Sequence, residues 1–430
     1  MAWTDTVPDV ALSSLPPPDQ DRLWRQLMEL AEFRELDQPG WTRRLFSEPY
    51  QRSRAWTRDL MEAAGLEVQA DAVGNLLGRL AGVSSDVPEL VIGSHTDTVA
   101  GGGRFDGMVG VVAAVEVARL LGQTGRRLRH SLLVVDFLGE EPNRFGISCV
   151  GSAAVVGQLG EELLRLTDEK GDTLAAALAG IGASPGGLSE MVWPTQRLHG
   201  YLELHIEQGA RLEREGIRLG VVTSIAGIHR GVITLVGRPD HAGTAAMDDR
   251  RDALAAAAEV VLLVERLARE SRLGGDGVGT VGRLEIAPGA ANVVPGMAIV
   301  WVEFRSAESK WLDDRHRALE AGVRDCAARR RLEVEIEWIS EGSPVACAPG
   351  PRRAIVEAIE ELGQAHLELP SGASHDAALL AQICPIGMIF IPSREGRSHC
   401  PEEWTDPEDV ALGAEALLGA VLRLDLADSL

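Results

Sequence analysis

Two short apolar runs, 90–92 (LVI) and 131–138 (SLLVVDFL), flank a segment of small and branched residues at 108–121. The second run has the composition of a strand buried on both faces, and the segment between them reads as a helix. Strands that alternate with helices in this way build an α/β fold around a largely parallel sheet. In such sheets the chemistry sits in loops at the carboxyl ends of strands. The polar residues that directly follow the apolar runs are therefore the candidates for function.

Residues 19–36 read as a mostly polar N-terminal helix. The texture changes near residue 212. An alternating strand at 230–237 leads to a long helix at 249–272, a strand pair at 279–286 and 298–305, and a helix at 310–330. A strand at 332–339 would complete a small α+β unit of the ferredoxin-like kind. The α/β texture then returns, with a helix at 351–364, a strand at 385–391 and a helix at 406–424. The economical organisation is a discontinuous α/β domain, 1–211 and 331–430, carrying an inserted α+β domain at 212–330. The Ala/Gly-rich stretch 172–190 reads as a helix with a loop.

Composition limits what such a chain does. Hydrophobic residues at 45% and charged residues at 25% are globular values. The net charge of −22 argues against partnership with nucleic acid or an anionic membrane. An anionic substrate would have to be held by a few local cations. The five cysteines (Cys149, Cys326, Cys347, Cys384, Cys400) form no C-x-x-C, so neither a disulfide framework nor a thiolate zinc site is expected. The N-terminal region, with Asp5 and Asp9, lacks the pattern of a signal peptide, and no apolar run approaches the ~18 residues of a membrane span. A cytoplasmic protein is the expectation.

The first polar cluster, Gly93-Ser94-His95-Thr96-Asp97-Thr98, follows the first strand. Gly102-Gly103-Arg104-Phe105-Asp106-Gly107 precedes the helix, and Gly139-Glu140-Glu141-Pro142 follows the next strand. Imidazole and carboxylate without thiolate suit zinc, manganese, cobalt or nickel. Asp97 is placed to accept the second imidazole N–H of His95 and fix its tautomer. Each feature has a plainer explanation: Asp106 as a helix N-cap, Glu140-Glu141 as a solvated pair. At 201–207 the alternation puts Glu203, His205 and Glu207 on one strand face, where His205 would ordinarily be a half-exposed residue. His399 alone would be an unremarkable surface histidine. His241 opens the long helix, Asn292 lies in a turn and Arg305 ends a strand. These too read as a cap, a turn residue and an edge ion pair, although all could face a cleft between domains.

Taken together, the ordered motifs GSHTDTV, GGGRFDG, GEEPNRFG, HIEQG, GRPDHAGT, NVVPG and GRSHCPEEWT resemble the amidohydrolase branch of the dinuclear-metal aminoacylase/carboxypeptidase superfamily. That branch includes N-carbamoyl-L-amino-acid hydrolases, allantoate amidohydrolases and β-ureidopropionases. The resemblance implies His95, Asp106, Glu141, His205 and His399 as ligands of two divalent ions (Zn2+, or Mn2+, Co2+ or Ni2+), with Asp106 bridging. It implies Glu140 as general base, His241 as oxyanion donor, and Gln208, Asn292 and Arg305 as substrate contacts. Arg230 matches a position that allantoate-specific members tend to fill with Arg. A carbamoyl or ureido small molecule is the implied substrate. The inserted domain is the implied lid and homodimer contact. His205 stands where the related peptidases usually carry a carboxylate, which favours the amidohydrolases over a dipeptidase or aminoacylase. Glu140 argues against a mere metal- or solute-binding protein. The chain departs from the family pattern at Thr244-Ala245-Ala246-Met247 and at Ser374-His375-Asp376.

Overall fold

The computed structural model describes residues 12, 15–184, 187, 191–270 and 277–427. Asp5 and Asp9, the last residues of the helix expected to reach 272, and part of the loop expected before 190 lie outside them. The chain divides into two compact units. One comprises residues 1–223, 347–369 and 375–430, the other 224–346 and 370–374.

The first unit is built on a mixed sheet. In spatial order its strands are Glu67–Ala70, Leu76–Leu80, Leu132–Phe137, Glu89–His95, Leu198–Ile206, Ile386–Ile391 and Leu219–Ile225. Leu132–Phe137, Glu89–His95, Leu198–Ile206 and Ile386–Ile391 run parallel to one another, so their carboxyl ends lie along one edge. Leu132–Phe137, Leu198–Ile206 and Ile386–Ile391 are buried throughout, the condition under which parallel strands read as continuous apolar runs. Leu198–Ile206 is the exception in composition. Its Leu202, Leu204 and Ile206 join the main apolar core, while the alternation sends Tyr201, Glu203 and His205 to the opposite face.

Helices Gln20–Ala31, Met108–Thr124, Pro349–Glu361 and Pro407–Leu426 supply that core. Met108–Thr124 is capped by a glycine and has no side-chain N-cap bond, a deficit of roughly a few tenths of a kcal/mol. Its buried valines and leucines contribute about 1.5–3 kcal/mol each, so burial decides that it forms. The helix expected over 19–36 stops at Ala31, because the buried Arg43 takes up carbonyls at its end: Nη1 donates to Leu30 O and Phe33 O, both at 2.9 Å. The expected helix in 172–190 is present as Leu174–Gly180.

The second unit follows the order strand Gly227–Val236, helix Ala253–Arg269, strand Gly277–Ala287, strand Met297–Ser306, helix Ser309–Arg330 and strand Glu333–Glu341. In space the strands lie fourth-first-third-second, with every neighbouring pair antiparallel, which is the ferredoxin-like arrangement. Glu333–Glu341 pairs with Gly227–Val236. The unit therefore extends to Ala346, and the boundary expected at 330 moves; the one expected at 212 moves to Ser224. Both breaks are set by strand pairing at long sequence range, not by local texture. Among the described residues no helix is long and apolar enough to cross a membrane.

Candidate metal centre

His95 is the last residue of its strand, paired with Phe137 on the parallel neighbour. Glu140 and Glu141 therefore emerge three and four residues past Phe137, beside His95. His205 sits one residue from the end of Leu198–Ile206 and is fully buried, not half-exposed. Asp106 does not cap the following helix, whose N-cap is Gly107. Gly107 has φ +73°, and a Cβ there would fall 2.4 Å from His95 Cε1, so only glycine lets this loop run against the imidazole.

These placements converge on Asp106. Its Oδ1 lies 3.1 Å from His205 Nε2 and 3.7 Å from His95 Nε2. Its Oδ2 lies 3.2 Å from His399 Nε2, which is itself 3.4 Å from Glu141 Oε1. Two groups result, His95/Asp106/His205 and Asp106/Glu141/His399, each with its ligand atoms within 4.8 Å of one another. Asp106 is common to both. Glu140 Oε2 lies 3.7 Å from His95 Nε2. Gln208 Nε2 donates to Asp106 Oδ2 at 2.6 Å. Glu140 and Glu141 are buried, unlike a solvated pair, whereas the His399 side chain is half-exposed (50%).

Asp97 has a wider part than expected. Its backbone carbonyl is 3.2 Å and its Oδ1 3.4 Å from His95 Nδ1. Its two carboxylate oxygens also accept the backbone N–H of Glu140 and of Glu141, each at 3.1 Å. One side chain thus sets the imidazole and both acidic residues. Glu203, on the same strand face as His205, is fully buried and accepts from Ser94 Oγ at 2.6 Å and Tyr201 Oη at 3.0 Å. It also groups with His205 and His375. Residue-by-residue reading missed Ser398, Glu403 and Cys149. The first two flank His399 within GRSHCPEEWT, and Cys149 Sγ lies 3.8 Å from Glu140 Oε1.

The donor set and its electrostatics fit divalent cations. Burial pushes Glu141 up to about 8, with Asp106 adding to the rise. Burial likewise holds Glu140 well above the usual carboxylate range against the pull of His95, with Glu141, Asp376 and Asp97 adding. Burial opposes ionisation of Asp106, but hydrogen bonds from His205 and His399 outweigh it and hold Asp106 well below that range. Its bond to Asp106 raises His399 to about 9. Three imidazoles do not offset this much buried negative charge, whereas doubly charged ions bound by N and O donors would.

The remaining candidates lie in the second unit. Strand pairing sets His241 opposite Val293, next to Asn292, and both are exposed. His241 Nδ1 accepts the Gly243 N–H at 3.0 Å, which leaves the ring hydrogen on Nε2. Arg305 Nε donates to Glu303 Oε1 at 2.5 Å, and Arg230 Nε to Glu303 Oε2 at 2.8 Å. The two arginines expected to hold substrate thus share one carboxylate.

Nitrogen and oxygen donors at the carboxyl ends of a parallel sheet, with a further glutamate beside them, define the chemistry of a hydrolase. The chain belongs to the peptidase family M20/M25/M40, which its residues 91–423 match. It is 39% identical over 404 residues to an N-carbamoyl-L-amino acid amidohydrolase of Geobacillus stearothermophilus, covering 94% of this chain and 98% of that one. It is 38% identical over 415 residues to a ureidoglycolate hydrolase of Oryza sativa subsp. japonica (95% and 85% covered). A crystal structure of an amidase of the hydantoinase/carbamoylase family from Burkholderia multivorans superposes with a TM-score of 0.85 at 37% identity, covering 96% and 99%.

Proposed function

We propose that this hydrolase cleaves the carbamoyl C–N bond of N-carbamoyl-L-amino acids, using water to release the amino acid, carbon dioxide and ammonia. The observation that carries the reading is the Asp106 carboxylate shared between two ligand groups, together with end-to-end similarity to an enzyme of that name. His95, Asp106, Glu141, His205 and His399 would hold two divalent ions (Zn2+, or Mn2+, Co2+ or Ni2+). Such ions, when bound, polarise a carbonyl and lower the pKa of water.

The chain's own residues carry the rest. Glu140 takes the proton of the attacking water and delivers it to the leaving nitrogen. Its elevated proton affinity, caused first by burial, suits the second half of that task. The hydrogen on His241 Nε2 is available to the developing oxyanion. Arg305 grips the substrate carboxylate; the Glu303 contact at Nε fixes the guanidinium plane. Gln208 and Asn292 hold the ureido group. We assign the second unit the role of lid and homodimer contact. One edge of its sheet, Glu333–Glu341, carries Glu333, Glu335 and Glu337. The other, Gly277–Ala287, exposes Val278, Leu284 and Ile286 beside the Arg283–Glu285 ion pair, and exposed apolar side chains on a strand edge form a pairing surface.

Allantoate is the second reading, favoured by Arg230, whose guanidinium is tethered at Glu303 beside Arg305 and offers donors for another ureido arm. Values of kcat/KM on N-carbamoyl-L-amino acids, N-carbamoyl-β-alanine, allantoate and ureidoglycolate, after metal loading, test the choice. A preference for allantoate that Arg230→Ala abolishes would replace the first reading with the second.

A further inference from the structure

The loops that carry Asp106 and His399 are distant in sequence, and one side chain joins them. Glu403 is fully buried. Its Oε1 accepts the backbone N–H of Phe105 at 2.8 Å and of Asp106 at 3.1 Å. Its Oε2 lies 2.8 Å from Ser398 Oγ, which is also 3.0 Å from Asp106 Oδ2. A hydroxyl has one hydrogen, so Ser398 donates to one of the two carboxylates at a time. Ser398 Oγ thus lies between the two carboxylates, and Glu403 links this hydroxyl to the Asp106 backbone.

Two further features show that this approach is built into the fold. A Cβ on Gly103 would fall 2.2 Å from Glu403 Cδ and 2.4 Å from its Cβ, so the loop before Asp106 makes room for this side chain by having none of its own. His399, one residue after Ser398, has φ +55°, an uncommon conformation for a residue with a Cβ that needs its surroundings to hold it.

We propose that Glu403 is a positioning residue for the metal centre: by tying the Phe105–Asp106 backbone to the Ser398 loop, it sets the spacing of Asp106 and His399 and with it the affinity for divalent ions. This rests on reading the cluster as a metal centre. A residue with a purely structural role would lower melting temperature and leave the metal affinity of the folded protein alone. Glu403 would move that affinity, because groups that orient ligands typically contribute about 10–100-fold to binding.

The test is calorimetric titration of metal-free wild-type, Glu403→Ala, Glu403→Gln and Ser398→Ala protein with Zn2+, well below each variant's melting transition. Glu403→Ala should bind about 10–100-fold more weakly. Glu403→Gln keeps an oxygen for the two backbone donors and should recover most of the loss. Ser398→Ala removes the link from Glu403 to the second loop together with the hydroxyl contact to Asp106 Oδ2, and should weaken binding in the same direction. It carries the test if Glu403→Ala does not fold. Wild-type affinity in folded Glu403→Ala, or in Ser398→Ala if the former is unfolded, would overturn the inference alone, as would a Gln variant no better than Ala. Wild-type protein that takes up no metal would overturn the metal-centre reading as well.

Discussion

At the scale of single residues, the site depends on side chains that never touch substrate. Arg43 is fully buried, and beyond the carbonyls of Leu30 and Phe33 its Nε donates to Thr96 O at 2.7 Å. Burial lowers its pKa only to about 10, so the guanidinium is charged at neutral pH. Replacing it in Arg43→Met takes a donor from three carbonyls, of which Leu30 O keeps the Phe33 N–H at 3.3 Å, and a loss of roughly 2–5 kcal/mol is expected in urea denaturation. Because Thr96 follows His95, metal affinity should fall with it. The adjacent acids divide differently. Glu140→Gln should keep its metal, measured by elemental analysis, while kcat drops by about 10²–10⁴-fold; Glu141→Gln should lose metal. The opposite pattern would exchange their roles.

At the scale of elements, the turn into Met108–Thr124 is the least tolerant point. Gly107→Ala meets both a left-handed backbone and the His95 ring, so it should lower metal occupancy while the helix itself persists by circular dichroism. Pro407–Leu426 is docked at its far end by His199, whose Nε2 donates to Leu424 O at 3.1 Å, with His130 stacked on it at 4.2 Å. Burial, then the neighbouring His130, lowers the pKa of His199. The unfolded chain therefore takes up a proton first, and this part of stability is complete above about 6.5 and lost as pH falls below it. Between pH 7 and 5 the melting temperature of the wild type should therefore fall relative to that of His199→Gln. The sequence shows these elements unevenly. The apolar runs and the alternation at 201–207 are local signals, so strands and the residues at their ends could be read directly. The edge strand Glu67–Ala70, with only Val68 less than exposed, offers no such pattern. Glu403 was illegible for a different reason: its partner Phe105 lies 298 positions away.

At the scale of the whole molecule, the second unit's two sheet edges are unequal, and assembly is where that difference should be felt. Leu284→Lys on Gly277–Ala287 should convert a dimer to a monomer by light scattering, whereas Glu335→Gln on the opposite edge should not. The position of Asp106 has a consequence for synthesis. Four of its group (His95, Asp106, Glu141 and His205) emerge early, and His399 follows roughly 200 residues later. At about 5–20 residues per second, that is on the order of ten to forty seconds of translation. During that interval the nascent chain presents an incomplete acidic basin without its last imidazole. Metal capture is thus expected to be a late event, coupled to the arrival of the C-terminal loop.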